Sequence, residues 1–158
     1  MEKAQTSEFV LKISALWNAQ KRRENLYLEA LKKDSMGSLR RILSQGHFSA
    51  VLFQKEICWI YDYFKCFMND KELRDMTVTS SDKNLLKGIE EKEEVASVLK
   101  KNEGKVLQAY RSLVSNLEGD SETRRVLREH LDRISEFYEI LSKQENDNIK
   151  SLQLNTAA

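Results

Sequence analysis

Proline is absent from this chain of 158 residues, and glycine appears five times. Without proline no ring geometry interrupts a helix, and with so little glycine few positions accept a left-handed backbone. A fold of many short strands and tight turns is therefore disfavoured, and an all-α protein is expected. Charge of one sign is also missing: 26 Lys and Arg balance 25 Asp and Glu, a formal net charge of +1. No global field draws the chain to nucleic acid or to an anionic lipid surface. No apolar run reaches the roughly 18 residues that would cross a bilayer, and MEKAQTSEF lacks the build of a secretory signal. The expectation is a soluble, cytoplasmic protein with neither nucleic acid nor membrane as partner. Cysteine is scarce too. Cys58 and Cys66 fall on one expected helix, roughly 12 Å apart along its axis, too far to bridge and without the spacing of a zinc site.

What the chain does contain is helical periodicity. A first helix is expected from about Ser7 to Lys33, with Phe9, Ile13, Trp17, Gln20, Glu24, Tyr27 and Leu31 as its inward seam. Asp34-Ser35-Met36-Gly37-Ser38 reads as a tight turn. The second helix, from about Ser38 to Met68, repeats Leu39, Leu43, Gly46, Ala50, Phe53, Ile57, Ile60, Phe64 and Phe67. Its small residues at 46 and 50 leave room beside the seam, where His47 sits at the edge. A second apolar line on the same helix, Phe48, Leu52, Trp59, Tyr63 and Cys66, calls for cover on another side.

From Asn69 to about Glu91 the pattern breaks. So long a connection between bundle helices is expected to cross the length of the bundle with one short helix, laying Met76 to Ile89 on the second apolar line. The third helix, Lys92 to Leu117, carries Ala96, Leu99, Glu103, Val106, Tyr110, Leu113 and Leu117. The fourth starts after Glu118-Gly119-Asp120-Ser121 and runs to about Asn148, with Leu127, His130 or Leu131, Ile134, Phe137 or Tyr138, and Leu141 inward. One four-helix-bundle domain over residues 1–150 and a frayed tail over 151–158 follow.

Glu103 is wrong for an apolar seam, because a buried carboxylate costs several kcal/mol unless it is paired, protonated or bound to a metal. Glu24 and His47 each lie roughly eleven residues from the first turn, and a crossover would bring Glu103 to the same height. Glu24, His47 and Glu103 are thus a candidate site for one iron, manganese or zinc ion. His130 falls about a turn and a half away and is left outside the group. The plainer reading is a polar core layer of Glu24, Tyr27, His47, Glu103, Tyr110 and Tyr138 held by hydrogen bonds. The Lys21-Arg22-Arg23 run reads as a solvated face, and the aromatic line as core with no haem or flavin.

Inward glutamates on helices one and three, with a long middle connection, resemble the ferritin-like superfamily, where glutamates and Glu-x-x-His motifs hold a di-iron site. Residues 11–145 are similar to an uncharacterised bacterial family known only as a domain of unknown function. Arg23-Glu24 with Tyr27, and Asn102-Glu103 with Ala109-Tyr110, stand where that family has Gly-Glu followed by an aromatic and Gly-Glu leading to Ala-Tyr. The glutamates and tyrosine match and the glycines do not. No Glu-x-x-His occurs: Ser44-Gln45-Gly46-His47 and Leu127-Arg128-Glu129-His130 stand in its place, and Tyr138 falls where the family has a histidine. The resemblance implies a ferritin-like fold and, with a degenerate site, a metal-binding, oxidase or stress-related protein. No nucleophile–base pair, phosphate loop or full metal motif is present, so the favoured expectation is a non-catalytic bundle. It would act through a homodimer or a protein partner at helix two.

Overall fold

A computed structural model describes residues 3–71, 84–117 and 121–156, among which there are four long helices and no strand. They are α1 (Lys3–Leu31), α2 (Leu39–Lys65), α3 (Lys92–Ser115) and α4 (Glu122–Thr156). The helix ends follow the local chemistry. Ser35 and Gly37 take positive φ values of 64° and 54°, turning the chain sharply between α1 and α2. The Arg40 guanidinium donates to the carbonyls of Leu31 (3.2 Å) and Lys33 (3.0 Å), so a side chain of α2 satisfies the open C-terminus of α1. At the start of α4, Ser121 Oγ accepts the Arg124 backbone N–H at 3.2 Å. α4 continues to Thr156, past the end expected near Asn148.

Chain directions follow from which residues meet. Phe9 packs on Phe64 and Tyr27 on Gly46, so α1 and α2 are antiparallel. Gln20 meets Tyr110, Arg23 meets Glu103 and Lys33 meets Glu90, so α1 and α3 are antiparallel as well. Tyr110 meets His130 and Gly104 meets Tyr138, which makes α3 and α4 antiparallel. α2 therefore ends beside the start of α1, whereas α3 begins beside its end, and the residues between them join opposite ends of the bundle. α1–α2 and α3–α4 form the extensive contacts, and α1–α3 and α2–α4 complete the bundle.

The interior is divided. One apolar cluster gathers Phe9, Ile13, Leu16, Ile57, Leu113 and Leu127, and the other Leu26, Met36, Leu39, Val95, Leu99 and Leu141. Between them lies a buried polar layer to which all four helices contribute. The inward seam of α1 also differs from the expected one. Val10, Leu16, Arg23 and Ala30 are buried, whereas Trp17, Glu24 and Leu31 sit half-buried at the edge. α1 packs against two neighbours, so its buried stripe is broader than one residue per turn and turned towards α3.

The expected cover of the second apolar line is not found among the described residues. Residues 76–83 lie outside them. Leu86 is buried in the cluster with Met36, Leu39 and Val95 at one end of the bundle. Asp70 and Lys71 are helical, and residues 72–83, where the crossover with its short helix is expected, lie outside the described residues.

Candidate functional site

The polar layer is built around Arg23, whose side chain is fully buried. Its Nε donates to Glu103 Oε1 at 2.7 Å, Nη1 to Gln20 Oε1 at 2.7 Å and Nη2 to Ser49 Oγ at 3.2 Å. Ser49 Oγ in turn donates to the Gly46 carbonyl at 2.8 Å. The rings of Tyr27, Phe137 and Phe53 wall the guanidinium at 5.5, 5.7 and 5.9 Å, adding cation–π attraction in a dry setting. Burial by itself would lower the Arg23 pKa, but Glu103 against it carries it above its ordinary value. Burial pushes the Glu103 carboxyl above its ordinary value, and contact with Arg23 offsets only part of that rise. With the guanidinium always charged and the contact at 2.7 Å, the pair is an ion pair.

The rest of the layer has a fixed direction. Because Gln20 Oε1 accepts from Arg23, its Nε2 faces Tyr110 and donates to the phenol oxygen at 2.8 Å. The phenol proton then goes to His130 Nδ1, 3.0 Å away, which leaves the imidazole proton on Nε2. That nitrogen lies 3.3 Å from Glu56 Oε1, an approach without hydrogen-bond geometry. Phe53 stacks on the imidazole at 3.9 Å and 17°. Burial, and secondarily the Arg23 charge, push the His130 pKa down to about 3, so the ring is neutral. Burial and the neighbouring Glu129 raise the Glu56 carboxyl. Burial raises both phenols, Tyr27 and Tyr110, above their usual range.

Three atoms of this region lack a hydrogen-bond partner in the structure: Glu103 Oε2, Tyr27 OH and His130 Nε2. The Tyr27 ring lies so close over Gly46 that any Cβ there would overlap it, so the room left by the small residue is filled by a tyrosine.

Of the residues expected here, Glu103, Tyr27 and Tyr110 are buried, and Glu103 and Tyr110 join the layer. Glu24 is half-buried and accepts from Gln54 Nε2 at 2.8 Å. His47 is half-buried against Phe48, with ring centroids 6.4 Å apart. Tyr138 is half-buried beneath Lys100, 5.8 Å from the ring centre. The expected convergence of Glu24, His47 and Glu103 thus gives way to three separate sets of neighbours. Glu103 lies level with this part of α1, but the residue facing it is Arg23, one position and about 100° around α1 from Glu24. His130, left outside the group by its depth, belongs to it because the long Tyr110 side chain spans the difference. A ferritin-type metal does not fit these residues, since a guanidinium occupies the place beside Glu103 that a cation would take. Among the described residues no group of three or more His, Cys, Asp or Glu side chains is arranged to hold a metal ion.

Two surface features remain. A groove of about 690 Å³ between α3 and α4 is lined by Lys100, Lys101, Lys105, Arg111, Tyr138 and Glu139 among others. It is open, and four cationic side chains against the one carboxylate of Glu139 make it predominantly basic. The outward face of α2 is different. Phe48, Leu52, Trp59 and Tyr63 along one side of the helix, and Phe67 just beyond its end, are 54–75% exposed. Tyr63 sits edge-on to Phe67 at 5.5 Å, continuing the stripe past the helix end. No helix among the described residues is long and apolar enough to cross a membrane. No protein-family model, curated protein or solved structure matches this chain.

Proposed function

We propose that this chain is a non-catalytic four-helix bundle of ferritin-like connectivity that acts by association through the outward face of α2. The observation carrying this reading is the exposed stripe of Phe48, Leu52, Trp59, Tyr63 and Phe67. Scattered apolar residues on a surface need no explanation, but four large ones aligned on one helix, with a fifth just past its end, mark a contact surface. The interior supports the same reading. Its ionisable groups are turned on one another, with Arg23 against Glu103 and His130 against Tyr110, and are closed to a substrate. Support for ferritin-like connectivity comes from the two antiparallel hairpins and from a connection between α2 and α3 that joins opposite ends of the bundle.

A photo-cross-linking amino acid placed at Trp59, with Arg111 on α3 as the control position, tests the reading in the cells that make the protein. A protein adduct from position 59 and none from 111 is expected. Equal labelling at the two positions, or none at 59, defeats association through α2.

A further inference from the structure

Resting on that reading, we propose that the occupant of the α2 face is a second copy of this chain. The two α2 helices would lie antiparallel about a twofold axis beside Trp59, with Lys55 of each copy against Asp62 of the other. The stripe is not wholly apolar: Lys55 and Asp62, both exposed, interrupt it on the same edge, seven residues and two helical turns apart. Their midpoint falls between Cys58 and Trp59, in the middle of the stripe. Turning an antiparallel copy about that point keeps each edge on its own side and exchanges the two positions, so two opposite-charge contacts form at once. In a parallel pairing the twofold axis runs along the helices and exchanges the two edges, so Lys55 and Asp62 of one copy fall on the side away from those of the other and neither opposite-charge contact forms.

The same register pairs the apolar residues. Trp59 meets its own counterpart at the axis, and Leu52 of each copy falls level with the gap between Tyr63 and Phe67 of the other. The four exposed aromatics present on the order of 500 Å², the upper part of the roughly 300–600 Å² of a monomer's largest patch. Flanking residues extend such a centre towards the ~800 Å² per partner of a stable complex. Asp62 Oδ1 pairs with Lys65 at 3.2 Å and its Oδ2 accepts from Cys58 Sγ at 3.8 Å, surface contacts weak enough to be exchanged.

Sedimentation of the full chain over a concentration series decides the matter. A monomer–dimer equilibrium is expected, which Trp59→Ala weakens without loss of helicity. Lys55→Glu and Asp62→Lys should each raise the dissociation constant about tenfold, since each sets two like-charge contacts across the axis. Mixing those two variants should restore association, because every contact in the mixed dimer is then of opposite sign. The double variant Lys55→Glu/Asp62→Lys should restore it as well. A chain monomeric at all concentrations overturns the second copy, while a position-59 adduct to a different protein would still uphold association through α2. A dimer indifferent to both charge reversals, or weakened by them but not restored on mixing, overturns the register. If either single variant loses helicity, the double variant decides between these outcomes.

Discussion

At Arg23 a fully buried guanidinium is held by one carboxylate, one amide oxygen and one hydroxyl. Removing one partner of such a pair leaves a charge in the interior, so Glu103→Gln should cost about 3–5 kcal/mol. Replacing both Arg23 and Glu103 by Met removes both desolvation penalties and should be neutral or stabilising by up to about 4 kcal/mol. Urea denaturation of the two variants checks the contrast, and a mild Glu103→Gln would mean that the carboxyl is already protonated. His130 gives a pH signature. Its folded pKa, near 3, lies below its ordinary 6.5, so the unfolded chain binds the proton more readily. Its contribution is complete above pH 6.5 and is lost as pH falls towards 3, at up to about 1.4 kcal/mol per pH unit. The groups facing it, Tyr110, Glu56 and Arg23, are unchanged in His130→Gln. The wild-type stability curve minus that of the variant should carry this slope between pH 6.5 and 3.

Along α2, one glycine and one aromatic stripe set two faces of opposite purpose. Gly46→Ala would gain helix propensity at an exposed site, by up to about 1 kcal/mol. Here the new methyl meets the Tyr27 ring and overpacking decides the sign, with an expected loss of about 1–3 kcal/mol. Combining it with Tyr27→Leu should recover part of that loss in thermal unfolding, since the obstructing ring is gone. If Gly46→Ala alone raised the melting temperature, close approach of α1 and α2 at this point would be wrong. The opposite face of α2 should tolerate polar replacements at Phe48 and Trp59 within about 0.5 kcal/mol in the monomer, because those side chains are 75% and 72% exposed.

In the molecule as a whole, a charged layer separates two apolar clusters, and that layer specifies which helix faces meet without offering a place for an ion. Ferrous, manganous or zinc ions should leave the melting temperature unchanged. An ion bound specifically and present at a hundredfold its dissociation constant would add about 2.7 kcal/mol. Calorimetry with and without each ion therefore separates a structural ion pair from a metal centre.

Helix number, the Asp34–Ser38 turn and the need to compensate Glu103 were legible in the sequence because each rests on local chemistry: period, turn residues and the cost of a lone buried charge. The antiparallel run of α1 and α3 fits the long connection read there. Rotation was not legible. Arg23 and Glu24 are adjacent charged residues, and an amphipathic period with two neighbouring helices does not say which of them turns inward. The tertiary structure decided that, by setting α1 against α3 so that Arg23 meets Glu103. It also decided that His130 joins through the length of Tyr110 and that His47 stays at the edge, since both depend on side-chain reach across helices and not on position along one.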